Sequence, residues 1–99
     1  MVKIRWLNEA KLDLREIYEY IAPDSKRYAK YQIEQIKEST KVLKSNPKLG
    51  QKVREFDEEN LREIVYGRYR IIYRYVSDEL IHVLLIHHGA RELETRITK

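Results

Sequence analysis

The residues best suited to chemistry crowd into the second half of the chain. Arg62, Arg68, Arg70 and Arg74 lie between Leu61 and Val76 with a single acid among them, Glu63. Arg91 and the pair His87-His88 follow. A guanidinium is a fixed, permanently charged fork that matches carboxylate and phosphate oxygens two at a time. Histidine titrates near neutral pH and can hold or pass a proton. The run Tyr69-Arg70-Ile71-Ile72-Tyr73-Arg74-Tyr75 has strand character. Successive side chains of a strand point to opposite faces. Tyr69, Ile71, Tyr73 and Tyr75 therefore share one face, and Arg70, Ile72, Arg74 and Val76 the other. Two arginines on a sheet face require water or an anionic partner there, because an unpaired buried cation is costly. The simpler outcome for any one of them is an ion pair, with Glu63 or with the acidic loop Asp57-Glu58-Glu59. Arg91 could equally cap carbonyls at the end of the sheet.

Other chemistries find little footing. His82 and His88 would share a strand face, but six strand residues separate them by roughly 20 Å, so they cannot share a metal; His87 and His88 diverge. No metal site and no cofactor is indicated. The chain has no cysteine, which removes disulfides, thiolate catalysis and cysteine zinc sites. The tyrosines at strand spacing suit core or rim positions better than base stacking.

The elements that must position these residues can be read from periodicity. Val2 to Leu7 alternates as a short strand. Asn8 is placed to cap a helix from Glu9 to Ala22, with Ala10, Leu14, Ile17, Tyr18 and Ile21 on its inner side and Pro23 as its stop. Trp6 is expected to anchor the core between sheet and helices. Ser25 is placed to cap a second helix, with the stripe Ala29, Ile33, Ile36, Thr40 and Leu43, ending near Ser45 before Asn46-Pro47 and Gly50. Between Lys26 and Lys48 there are seven cations and two acids, Glu34 and Glu38, so its outer face is basic. Val53 to Phe56 is a candidate short strand. Leu61 to Tyr66 and Tyr69 to Val76 should form a hairpin around Gly67-Arg68. Leu80 to His87 is apolar on both sides, as in a covered central strand. Arg91 to Lys99 reads as a charged tail. The expectation is one α+β domain over residues 1–99 in β-α-α-β-β-β order. In it, a helical hairpin packs on one face of a small antiparallel sheet.

Composition bounds the function loosely. Of the 99 residues, 36% are charged, and the net charge of +4 favours an acidic partner. The longest unbroken apolar run, Val83 to Ile86, is far short of a membrane span. The N-terminus lacks the apolar core of a signal peptide. A cytoplasmic protein that does not enter membranes is the default expectation.

Four pieces in order resemble the RelE/ParE toxin superfamily of type II toxin–antitoxin modules, with the ParE branch favoured. They are Trp6 followed by Asn8-Glu9-Ala10 and a helix ending Tyr18-Glu19-Tyr20-Ile21, and the breaker Asn46-Pro47-Lys48-Leu49-Gly50. Then come Leu61-Arg62-Glu63 with Gly67-Arg68-Tyr69-Arg70-Ile71-Ile72-Tyr73, and finally His87-His88-Gly89-Ala90-Arg91-Glu92. The resemblance implies a plasmid-stabilising toxin that arrests growth and is neutralised by an acidic cognate antitoxin. ParE-like members bind and poison DNA gyrase. RelE-like members cut messenger RNA on the ribosome. The first activity needs no catalytic group, and Arg62, Arg68, Arg70, Arg74 and Arg91 would form the surface that meets target or antitoxin. The second needs a base for the 2′-hydroxyl, cations for the phosphorane and an acid for the leaving oxygen. By family likeness Arg70 and Arg91 would supply the cations, and His87 or His88 the proton transfer, because Leu61 and Glu63 stand where RelE-like enzymes typically carry lysines. A basic interaction module without toxicity is the third reading. For assembly, a homodimer and a toxin–antitoxin heterotetramer are both compatible with the resemblance.

Overall fold

The computed structural model describes residues 1–89 together with Leu93, Arg96 and Ile97. The chain runs β1 (Lys3–Trp6), α1 (Asn8–Ile21), α2 (Lys26–Ser39), a 3-10 turn (Lys41–Lys44), β2 (Gln51–Lys52), β3 (Leu61–Tyr66), β4 (Tyr69–Ser77) and β5 (Leu80–His88). The strands form one sheet in the order β1-β5-β4-β3-β2. It is an α+β arrangement with the helical hairpin on one face. β2 through β5 pair antiparallel, whereas β1 runs parallel to β5. The sheet is thus mixed. The strand Leu80–His88 lies second from an edge, and β4 holds the centre.

Two apolar cores sandwich the sheet. Toward the helices, Ala10, Leu14, Ile36 and Leu43 meet Ile71, Tyr73, Ile81, Val83 and Ile86. On the opposite face Val53, Leu61, Ile72, Leu85 and Leu93 close a smaller cluster. Tyr69, Ile71 and Tyr73 pack toward the helices, as strand alternation requires. Gly67 turns the β3–β4 hairpin at φ 58°, a left-handed conformation that glycine adopts without a Cβ clash.

Four local features differ from the periodicity reading. Leu7, not Asn8, takes the cap position of α1 and offers no side-chain bond. Its own N–H still donates to Val83 O at 3.0 Å, so strand passes into helix without a separate cap. α2 ends at Ser39, short of Ser45. There the Ser39 and Thr40 hydroxyls donate back to Ile36 O and Lys37 O at 2.6 and 2.7 Å, and such back-bonding loosens the α ladder. The chain continues as a tighter 3-10 turn that keeps Leu43 buried. Ser25 does cap α2, accepting from Tyr28 N at 3.0 Å. The short strand before the acidic loop is Gln51–Lys52 rather than Val53–Phe56; Val53 and Phe56 instead turn into the second core. Finally, the β4–β5 register shifts between Ile72 and Tyr73, which pair with Leu85 and Val83. This one-residue bulge at Leu84 reverses the alternation beyond it. Val83 and Ile86 both face the helices, and His82 and His88 end up on opposite faces.

Candidate partner-binding surfaces

The arginines do not converge on one accessible patch. Arg70 points away from the helices and is enclosed by two carboxylates. Nη1 and Nη2 donate to Glu55 Oε2 and Oε1 at 2.8 and 2.9 Å, and Nε donates to Glu63 Oε1 at 2.8 Å. The three side chains retain only 13% (Arg70), 21% (Glu55) and 13% (Glu63) exposure. Hydrogen bonding to Arg70 holds the Glu55 carboxyl down at about 2, against the opposing effect of burial. The same bond raises the affinity of Arg70 for its proton. Arg74 shares the face of Arg70, and its Nη1 donates to Glu58 Oε1 at 3.1 Å.

Arg62 belongs to the other face. It pairs across the strands with Tyr73. Its Nη1 donates to Gly50 O at 2.7 Å, and its Nη2 to Glu59 Oε1 at 2.7 Å. It ties the loop before β2 to the sheet. Gly50 N in turn donates to Tyr73 Oη at 2.9 Å. Arg68 is exposed at the hairpin tip, where its carbonyl accepts from Gly89 N at 2.7 Å. His87 is buried in register with Arg70. His88 is exposed, with its ring 5.4 Å from that of Tyr69. Arg91 lies outside the described residues. Of the arginines named from sequence, the structure therefore places only Arg70 and Arg74 on a common face, each with a carboxylate.

A further arginine was hidden in the charged tail. Arg96 Nη2 meets Asp13 Oδ2 at 2.7 Å and Glu9 Oε2 at 3.2 Å, while Nη1 donates to Ile86 O at 3.1 Å. Asp13 Oδ2 accepts from Ile86 N at 2.9 Å. β1 ends opposite Val83, so this Asp13–Arg96 pair satisfies the β5 edge where no strand covers it. The spacing of Glu9 and Asp13, one helical turn apart, was the available signal.

The open surface is a groove of about 790 Å³ where α1 and α2 diverge over β1. Ile4, Trp6, Leu14, Tyr18 and Ile33 form its apolar lining. Lys11, Arg15, Lys30, Lys37, Lys41 and Lys44 rim it, with Glu34 as the one acid in the lining. Trp6 is half-buried here, part of the lining as well as packed on the core. Four cations of the basic second-helix segment, Lys30, Lys37, Lys41 and Lys44, line up on the groove because their spacing of seven, four and three keeps them on one stripe.

Residues 4–93 match the family described as ParE toxin of type II toxin–antitoxin system, parDE. The chain belongs to the ParE toxin family. Among solved structures, it is similar to the chromosomal ParDE toxin–antitoxin system from P. aeruginosa. The TM-score is 0.73 and the identity 22%, over 90% of this chain and 97% of that one. At that identity the likeness supports the fold. No curated protein matches the chain.

A ParE toxin must meet a partner, and the two faces differ in what they offer. The groove presents an apolar floor together with a lysine rim in which Lys41 pairs with Glu38 and the cations still outnumber the acids. On the sheet face, Arg70 and Arg74 are already held by the chain's own carboxylates. Among the described residues no group of histidine, aspartate and glutamate could hold a metal ion. Nor is any helix among them long and apolar enough to cross a membrane.

Proposed function

We propose that this ParE-family chain inhibits growth by binding DNA gyrase and trapping it on cleaved DNA, and that an acidic antitoxin silences it by occupying the helical groove. The basic, apolar-floored groove is the observation that carries the antitoxin half of this reading. An amphipathic acidic segment would place apolar anchors on Trp6, Leu14 and Ile33 and its carboxylates against the lysine rim. Such a segment can be disordered when free and order on binding. The gyrase half rests on family membership and is supported by the state of Arg70. Cleavage of RNA would need a free cation at that position, and Glu55 with Glu63 already satisfies it.

Purified protein incubated with supercoiled plasmid, gyrase and ATP is expected to accumulate linear DNA. Stoichiometric antitoxin should abolish that product. Unaffected gyrase together with shortened messenger RNA in arrested cells would overturn the gyrase reading in favour of ribosome-dependent cleavage. Induced expression without a growth defect would overturn both. Sedimentation of the toxin alone and with antitoxin separates a homodimer from a heterotetramer.

A further inference from the structure

The sheet face turned away from the helices carries a second feature, four residues along β4 from Arg70. Three side chains fall in register across adjacent strands: Arg5 of β1 opposite His82 of β5, and His82 opposite Arg74 of β4. They point the same way. Ile4 and Trp6 flank Arg5, Ile81 and Val83 flank His82, and Tyr73 precedes Arg74, and all five pack toward the helices. Alternation sends the three between them to the opposite face. With strands about 4.8 Å apart, the Arg5 and Arg74 backbones stand about 10 Å apart. Both arms can close over the imidazole from its two sides.

The charges on this row are not balanced. Arg74 shares Glu58. Arg5 is exposed and pairs with no carboxylate among the described residues, and Lys3 lies two residues before it on the same face. His82 Nε2 is buried and has no hydrogen-bond partner. A buried polar nitrogen without a partner is costly and uncommon. Here its residue stands in register between two arginines that have one carboxylate between them. An oxyanion would accept from the ring nitrogen and from both arginines at once.

The geometry points to an oxyanion site formed by Arg5, His82 and Arg74, which takes a phosphate group either as the free ion or within a nucleic-acid backbone. Arg5 is the access element, because its exposed arm can lift without disturbing the core. Arg74 is the anchored element, held by Glu58. The site is separate from Arg70, whose donors are already committed, and it lies on the opposite face from the antitoxin groove. It would let the toxin touch nucleic acid while the groove is occupied.

The test uses the full chain, followed by the ring signals of His82 in a ¹H–¹³C spectrum. Inorganic phosphate is expected to shift them in a saturable way, and Arg5→Gln should abolish the shift. Lys26→Gln, an exposed charge change on the outer side of α2, should not. Fluorescence anisotropy with a single-stranded and a duplex oligonucleotide separates the two sources. Binding weakened about tenfold by Arg5→Gln, the loss of one charge-assisted contact, with a salt slope reduced by about one, assigns the site to the backbone. A phosphate response with oligonucleotide binding that Arg5→Gln leaves unchanged assigns it to the free ion. His82 signals that do not respond to phosphate, with oligonucleotide affinities equal in Arg5→Gln and Lys26→Gln, would overturn the proposal. Arg74→Gln supplies the second check, provided its melting temperature stays near that of the parent.

Discussion

Replacing Arg70 with alanine should harm the fold before it harms any partner contact. The residue most suggestive of a binding role is enclosed by Glu55 and Glu63 at 2.8–2.9 Å. Removing it leaves two carboxylates facing one another with little water. Breaking a fully buried pair costs about 3–5 kcal/mol. The residual exposure here lowers that to about 2–4 kcal/mol, because the stranded carboxylates can rehydrate or protonate. For a domain of this size each kcal/mol moves the melting temperature by about 4–8 °C. Arg70→Ala should therefore melt about 8–32 °C below the parent at pH 7.

The acid limb gives an independent reading. The Glu55 carboxyl is depressed from 4.5 to about 2 in the folded protein. A depressed carboxylate contributes stability that is fully present above its unfolded value. The contribution fades as pH falls through the folded one. The shift corresponds to about 3 kcal/mol, present above pH 4.5 and lost on going down toward pH 2. Urea unfolding at a series of pH values should show that loss in the parent. Glu55→Gln should forfeit it already at pH 7 and titrate more flatly below pH 5. If Arg70→Ala and Glu55→Gln both melt within about 2 °C of the parent and keep its acid slope, the clamp does not exist in solution.

Other consequences are more local. A Cβ on Gly50 would lie 2.6 Å from both Glu63 O and Tyr73 Oη, so Gly50→Ala should destabilise by about 1–3 kcal/mol in urea, with a near-parental value counting against the packing described. Lys37→Glu together with Lys41→Glu should weaken antitoxin binding at least about tenfold by calorimetry while leaving the melting temperature within about 2 °C. An unchanged affinity would move the antitoxin off the groove. Arg96→Ala should speed hydrogen exchange at the Ile86 amide by loosening Asp13 from the β5 edge, whereas exchange as slow as in the parent would mean Asp13 holds that amide unaided.

What could be read from the chain beforehand follows the reach of each interaction. The helix stripes, the Ser25 cap and the Gly67 hairpin are local, and each residue's neighbours in sequence are its neighbours in space. The clamp on Arg70 is half local. Glu63 lies across the same hairpin and was a foreseeable partner, as was Glu58 for Arg74. Glu55 could not be foreseen, because its position depends on how Val53 and Phe56 turn into the second core. Asp13 and Arg96 are brought together only by the completed fold. The bulge at Leu84 was invisible for a different reason. Val83 to Ile86 is apolar throughout, so alternation there carries no register information, and the faces of His82 and His88 came out wrong as a result. Arg62 was misplaced with Arg70 because neighbouring strands were read as one surface, although Arg62 sits opposite Tyr73 on the helix side.

The distribution of acids, more than the net charge of +4, decides where a partner is drawn. Glu55 and Glu63 are committed to Arg70, Glu58 to Arg74, Glu59 to Arg62, and Glu9 with Asp13 to Arg96. These pairs neutralise the arginines of β3 and β4 and the Arg96 end of the sheet, and among the described residues leave Arg5 and Lys3 of β1 as the unpaired cations of the sheet face turned away from the helices. The groove rim keeps its cations, with Glu34 in the lining and Glu38 bound to Lys41 as counter-charges. An acidic segment approaching from solution therefore meets its strongest attraction at the helical hairpin, where apolar surface is also open, and not at the arginine-rich strands that dominate the sequence. Steering of that kind falls with ionic strength. Antitoxin association should consequently slow with added salt in the parent and lose most of that dependence once the groove lysines are reversed, while neutralising Arg68 at the hairpin tip should leave it intact.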